Sequence, residues 1–138
     1  MHEILGTSRA LVVHGQGMDE ITNTGETTIC ELQDGRIRSY QIHPRDFGYP
    51  LARPEEIAGG APSENALQLV QILKGERSPA RDIIAMNSGA AIYVGGRAAT
   101  MQEGAKMAEE ALDDGRGLRL LKSMAEKNGE PERLRRFL

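Results

Sequence analysis

The stretch Arg9-Ala10-Leu11-Val12-Val13-His14-Gly15-Gln16-Gly17-Met18-Asp19-Glu20 decides how the rest of the chain is read. Residues 10–13 form a short continuous apolar run that ends at Gly15, the pattern of a strand buried on both faces, as in parallel sheets. Gly15-Gln16-Gly17 then frees the backbone for a tight loop. Asp19 and Glu20 follow beyond the strand's carboxyl end, where open α/β sheets place their ligands. Two adjacent carboxylates repel a phosphate but can hold Mg²⁺, which takes one or two carboxylates together with waters and substrate phosphates. Taken as a bare dipeptide, the pair reads more simply as a solvated acidic loop; its position after the glycines narrows that difference. A dinucleotide-binding loop is excluded, because Glu20 stands where a third small residue is needed and residues 22–25 look like loop rather than helix.

Working outward, residues 27–32 and 36–42 are β-prone and flank Asp34-Gly35. A two-residue Asp-Gly connection of this kind signals a tight hairpin, since both central residues need positive φ. Centring the turn there pairs Glu31 with Arg38 and Ile29 with Tyr40 on one face, both favourable cross-strand neighbours. Pro44 ends the second strand, and residues 45–61 look irregular. The hairpin is a poor parallel partner for residues 10–13, whose backbone groups need neighbours, so the chain is expected to begin in the middle of a larger sheet.

Helices dominate the remainder. Pro62 suits a first helical position, with Ala66, Leu69, Val70 and Leu73 as one apolar stripe. Ser78-Pro79 is a cap followed by a favoured first residue, and the helix after it is apolar nearly all round, hence central, until Gly95-Gly96. Thr100-Met101-Gln102-Glu103 is a capping box opening a helix with Ala105, Ala108 and Leu112 inward. Leu118, Leu121 and Ala125 mark a further helix closed by Asn128-Gly129. The expected fold class is α/β: a mixed sheet with a β-hairpin packed against several helices, forming a partial domain.

Bulk properties bound the function. The chain has 138 residues, 39% hydrophobic and 27% charged, with a formal net charge of −3. That suits one domain able to bury a core and is no electrostatic footprint for nucleic acid. The basic residues Arg133, Arg135 and Arg136 make a short tail over residues 130–138. The single cysteine, Cys30, cannot form an intrachain disulfide, which points to a reducing, cytoplasmic setting. Met1-His2-Glu3 lacks the basic start of a secretory signal. The nearly apolar residues 83–94, interrupted by Asn87 and Ser88, fall short of the roughly 20 residues that span a bilayer, so no membrane segment is expected.

Other chemistry-bearing residues are weaker candidates. His14 could act as a base or ligand, but a lone histidine at a strand end is more often structural. His2 and His43 are too scattered for a zinc set, and Cys30 has no companion thiol. Ser88 lacks the glycine pattern of a nucleophile elbow and sits in a helix, where a small residue lets two helices approach. Asn87 reads as a satisfied core amide.

Several stretches resemble the C-terminal part of anthranilate phosphoribosyltransferases. The most specific is Arg9-Ala10-Leu11-Val12-Val13-His14-Gly15 followed by Gly17-Met18-Asp19-Glu20-Ile21. Asp46-Phe47-Gly48, Gly59-Gly60-Ala61-Pro62-Ser63-Glu64-Asn65-Ala66, and Asn87-Ser88-Gly89-Ala90-Ala91 with Tyr93 follow in the expected order, so the resemblance reaches to about Leu121. It implies that residues 1–138 are the C-terminal part of a phosphoribosyltransferase α/β domain. The corresponding enzymes move a phosphoribosyl group from phosphoribosyl pyrophosphate to the amine of anthranilate in tryptophan biosynthesis, use Mg²⁺ and commonly form homodimers. It further implies that Asp19 and Glu20 are the metal-ligating pair. The family's glycine-rich pyrophosphate loop, its Lys-His-Gly segment, its anthranilate-facing arginine and its N-terminal helical region are absent, and Ala61 replaces the usual aspartate before Pro62, removing a cap worth about 1 kcal/mol.

Three functions follow. The chain is a C-terminal enzyme fragment, contributing Mg²⁺-binding carboxylates and expected to be inactive alone. Alternatively it is an interaction subunit that completes a separate N-terminal chain, or a non-catalytic module that kept the fold.

Overall fold

A computed structural model describes residues 6–138; His2 and the opening residues examined for a targeting signal lie outside them. Three strands form one sheet in the order β1 (Arg9–Gly15), β2 (Thr27–Gln33) and β3 (Arg36–Ile42). A 3-10 turn (Pro44–Phe47) leads to six helices: α1 (Pro54–Ile57), α2 (Pro62–Leu73), α3 (Pro79–Val94), α4 (Met101–Asp113), α5 (Arg116–Lys127) and α6 (Pro131–Arg135). The α/β class with a hairpin against helices is as expected. The mixed sheet is not: both strand pairings are antiparallel.

The β2–β3 hairpin has the register its turn dictates. Asp34 (φ 50°) and Gly35 (φ 75°) occupy the two positive-φ positions, and Glu31 faces Arg38 while Ile29 faces Tyr40. The correction concerns β1. It pairs antiparallel with β2, Val13 opposite Ile29 and Leu11 opposite Glu31. Val12 remains 56% exposed, so β1 is not buried on both faces. A short apolar run alone fixes neither the direction of a strand nor the burial of both its faces.

Leu11, Val13, Ile29 and Tyr40 present one face of the sheet to α3, where Met86, Ala90 and Tyr93 meet them around the fully buried Ile21. On its other side α3 crosses α4. The inward stripe of α4 is Met101, Gly104, Ala105, Ala108 and Leu112, with the last three apolar residues as expected. Gly89 and Gly104 bring the two helix backbones together: a Cβ on Gly89 would lie 2.7 Å from the Ala105 Cα and 2.8 Å from the Met101 carbonyl oxygen. The small residue that allows the approach is therefore Gly89, next to Ser88. Arg81, fully buried, ties the third layer on, donating to Asp113 Oδ1 at 2.7 Å and to the Glu109 and Ile72 carbonyl oxygens at 3.4 and 3.5 Å.

Helix ends follow the capping signals. Ser78 Oγ accepts from the Arg81 amide (3.3 Å) and Thr100 Oγ1 from the Glu103 amide (3.1 Å). Ala61 gives α2 no side-chain cap; instead Glu64 Oε2 accepts from the Ala61 amide at 2.7 Å. The α2 stripe is rotated from the expected one, since Val70 and Ile72 are buried while Leu69 is 41% exposed. Residues 45–61 contain two single-turn elements, and the basic tail contains α6.

Candidate functional site

After β1 the chain reverses at once. The amide of Gly15 donates to the Met18 carbonyl (3.0 Å) and Met18 returns the bond (2.9 Å), with Gln16 (φ 52°) and Gly17 (φ 85°) at the tip. Both central residues have positive φ, as in the hairpin turns that suit strand twist. Gly15 is required for a different reason. A Cβ there would sit 2.6 Å from the Glu20 carbonyl oxygen and 2.8 Å from Thr22 Cγ2, because residues 20–22 fold back over it. The segment bearing Asp19 and Glu20 is thereby held against the end of β1.

Asn87 completes the hold from α3. Its Oδ1 accepts from the Ile21 amide (3.0 Å), and its Nδ2 donates to the Ile21 carbonyl (2.8 Å) and to the Ile83 carbonyl one turn earlier (2.9 Å). The expected core amide is thus a clamp on the residue directly after Glu20. Further on, Thr27 Oγ1 accepts from the Thr22 amide (3.1 Å), and the buried Asn23 donates from Nδ2 to the Pro79 carbonyl at the start of α3 (2.8 Å). Replacing Asn87 by alanine strands the buried Ile21 amide and carbonyl, at a cost of about 2–3 kcal/mol. Asn87→Asp should cost at least as much, since a carboxylate cannot donate to the two carbonyls. Urea unfolding of both variants checks this, and a loss below about 0.5 kcal/mol would show the clamp to be dispensable.

Held on this rigid loop, Asp19 and Glu20 are both exposed. Among the described residues neither carboxylate makes an ion pair or a side-chain hydrogen bond. Glu20 borders a cleft of about 280 Å³ whose walls include Asn65 and Gln68 of α2 and Ile72, Ile83 and Ile84. No group of three or more metal-ligating side chains occurs among the described residues. Both carboxylates are thus unengaged and Glu20 opens onto the cleft; a pair of this kind would suit Mg²⁺ completed by water and phosphate rather than an all-protein cage.

The other candidates fall into structural places. His14 is exposed at the end of β1, opposite Thr28. His43 Nδ1 accepts from the Arg45 amide (3.2 Å) and so caps the 3-10 turn, with Asp46 Oδ2 accepting from the His43 amide (2.7 Å). Cys30 is a half-buried free thiol in the middle of β2. Ser88 lies inside α3, half-buried.

Sequence reasoning took Glu31–Arg38 as an ordinary cross-strand pair. Glu31 is in fact fully buried, and its carboxylate accepts from Tyr93 of α3 (2.6 Å), Tyr40 (2.9 Å) and Arg38 (2.9 and 3.1 Å). Burial alone raises the pKa of its carboxyl, but the bonds from Tyr93, Tyr40 and Arg38 together outweigh it and hold the group below the usual carboxylate value. Arg9 stacks its guanidinium on the far partner, 3.9 Å from the Tyr93 ring centroid. Arg81 and Asn23 were also missed. The position of Arg81 in the first turn of a helix that is apolar over most of its length was the available signal, since a charge carried into a core must find partners.

The chain belongs to the glycosyl transferase family, a/b domain, whose family model matches residues 1–118. More particularly, it is similar to the anthranilate phosphoribosyltransferases of Methanosarcina barkeri, at 52% identity over 112 residues covering 81% of this chain and 31% of that protein, and of Methanosarcina acetivorans, at 49% identity covering 81% and 30%. Among solved structures, the anthranilate phosphoribosyltransferase of Thermus thermophilus superposes with a TM-score of 0.79 at 38% identity, covering 88% of this chain and 36% of that one. The Saccharomyces cerevisiae enzyme in complex with PRPP and Mg gives 0.73 at 28% identity, covering 81% and 33%. The chain thus spans about a third of the length of the relatives it matches.

Proposed function

We propose that this chain is the C-terminal part of an enzyme that transfers the phosphoribosyl group of phosphoribosyl pyrophosphate to anthranilate, in tryptophan biosynthesis, with Asp19 and Glu20 as ligands of Mg²⁺. The observation that carries the reading is the contrast around the acidic loop. Asn87, Gly89 and Tyr93, residues on which the resemblance rests, are consumed in fixing the scaffold, while Asp19 and Glu20 are presented to solvent with their carboxylates unpaired. The Saccharomyces cerevisiae relative, solved once with PRPP and Mg and once with 4-fluoroanthranilate, supports the substrate class.

In this reading the Gly15–Met18 turn and the Asn87 clamp set where the carboxylates point, so their orientation is established before substrate arrives. Bound Mg²⁺ would offset the charge on the departing pyrophosphate as the sugar carbon becomes cationic. The remaining substrate-binding groups come from the larger part of the enzyme that this chain does not contain, either within a longer polypeptide or from a separate chain or a second protomer. We place the enzyme in the cytoplasm; no helix among the described residues is long and apolar enough to cross a membrane.

In the completed enzyme, Asp19→Asn and Glu20→Gln should each lower kcat by about 10²-fold or more and raise the Mg²⁺ concentration needed for half-maximal rate. Melting temperatures should stay within about 1 °C, because exposed groups without partners contribute little to stability. Unchanged kinetics for both variants at limiting Mg²⁺ would remove the metal role.

A further inference from the structure

The two C-terminal helices leave an apolar groove unfilled. The space between α2, α5 and α6 measures about 320 Å³ and is walled by Leu69 and Val70 of α2, Leu121 and Met124 of α5, and Leu134 and Phe137. Val70 is 1% exposed, so the groove reaches down to the core, whereas Met124 is 51% exposed beside it. The basic tail expected to be a plain solvated end thus turns Leu134 and Phe137, both half-buried, into a wall. Polar groups at the groove are few: Asn128, Glu130, Arg133 and Arg136. Arg133 pairs with Glu130 at 3.0 Å. Arg136 has no carboxylate partner among the described residues, and its guanidinium lies 4.9 Å from the centroid of the Phe137 ring. Apolar walls with a few placed polar groups, enclosing about 300–1,000 Å³, are the usual build of a small-molecule site.

We propose that this groove binds a small molecule with an apolar body and a carboxylate head, the body against Leu69, Met124 and Phe137 and the head on Arg136. The sign of the head follows from the rim. Arg133 and Arg136 stand against the single carboxylate of Glu130, which is already paired, so a cationic head meets two guanidiniums and no free acceptor. A guanidinium is weakly hydrated, and its planar fork takes a carboxylate through two parallel bonds. The Phe137 ring beneath Arg136 holds that fork at the border of the apolar wall. The concave shape favours a molecule that enters over a flat lipid surface, which would not reach Val70. Leu121, Met124, Leu134, Arg136 and Phe137 lie beyond residue 118, where the family model ends, so the site does not depend on the phosphoribosyltransferase reading. Leu69 also walls the cleft bordered by Glu20, and the two spaces adjoin across that side chain.

The test titrates the full chain with monomeric decanoate near neutral pH, followed by amide and methyl NMR shifts, with decylammonium and decanol as head-group controls. Decanoate should saturate with a Kd below about 1 mM, its shifts centred on Leu69, Met124 and Phe137. Decylammonium should bind about tenfold or more weakly, and decanol in between. Arg136→Gln should weaken decanoate about fivefold or more and leave decanol unchanged. Met124→Glu, at an exposed position that does not threaten the fold, should weaken both about tenfold. Lys122→Gln, an exposed cation on α5 outside the groove, should change nothing. Failure to saturate by about 5 mM, shifts centred elsewhere, or equal binding of decanoate and decylammonium would each overturn the site. So would equal effects of Arg136→Gln and Lys122→Gln, which would mean diffuse charge attraction. Binding to phosphatidylglycerol vesicles without any decanoate shift at the groove would replace the site with a lipid-surface contact.

Discussion

Glu31→Ala is expected to destabilise the chain by about 3 kcal/mol and to lower its melting temperature by roughly 10 °C. The side chain is fully buried between the sheet and α3 and accepts from Tyr93, Tyr40 and Arg38. Removing it leaves the buried Tyr93 hydroxyl without an acceptor and opens a hole where the sheet meets α3. Arg38 is 65% exposed and returns to water, so it adds little to the cost. Glu31→Gln keeps an acceptor for one tyrosine and should lose less than the alanine variant.

The same network predicts a pH dependence. The Glu31 carboxyl titrates below its ordinary value of 4.5 in the folded chain. A carboxyl whose folded pKa is depressed contributes stability that is fully present above the unfolded value and is lost as pH falls through the folded one. Unfolding free energy should therefore fall from about pH 5 downward, and Glu31→Gln should flatten that slope. Urea titrations at stepped pH check it; parallel acid slopes for the two proteins would show that Glu31 is not held in its charged form.

The second large effect is expected at the helix crossing. Gly89→Ala should cost about 3 kcal/mol even though alanine is the better helix former by about 1 kcal/mol. The added methyl meets Ala105 Cα at 2.7 Å and the Met101 carbonyl at 2.8 Å, and backbone atoms cannot move aside without separating α3 from α4. Gly104→Ala should behave alike, meeting the Gly89 carbonyl carbon at 2.9 Å. Gly117→Ala is the control. There the added methyl meets the tip of the Leu73 side chain at 2.7 Å, which can rotate away, so the change should be near neutral. A neutral Gly89→Ala would mean that the two helices do not touch at this point.

What the sequence disclosed follows the range of the interactions. The hairpin register was legible because Asp34-Gly35 permits one turn type, and that turn fixes every pair out to Thr27 and Ile42. The starts of α2, α3 and α4 were legible from Pro62, Ser78-Pro79 and Thr100, each a local signal. β1 was misread because an apolar run reports burial, not strand direction, and its pairing with β2 is set by residues some twenty positions away. The single-turn elements at Pro44–Phe47, Pro54–Ile57 and Pro131–Arg135 are too short to show a period. Of the candidate site, Asp19 and Glu20 were singled out by their place after the glycines and by the resemblance, and the structure shows both exposed on the loop that follows β1. Asn87 was read as structural, but that it grips Ile21 is a contact across 66 residues that no local pattern encodes. The Glu31–Arg38 pair was legible, but the burial of Glu31 was not, since Tyr93, which bonds its carboxylate from α3, lies 62 residues further on.

Under the proposed function this chain would supply two magnesium-ligating carboxylates, and the other substrate-binding groups would lie in the part of the relatives that it does not match. The most direct measurement is turnover of phosphoribosyl pyrophosphate and anthranilate by the purified 138-residue chain, beside the same chain completed by the missing part. The account predicts no product from the chain alone and Mg²⁺-dependent product from the completed protein, lowered about 10²-fold or more by Asp19→Asn. Product formed by the isolated chain from both substrates would contradict it.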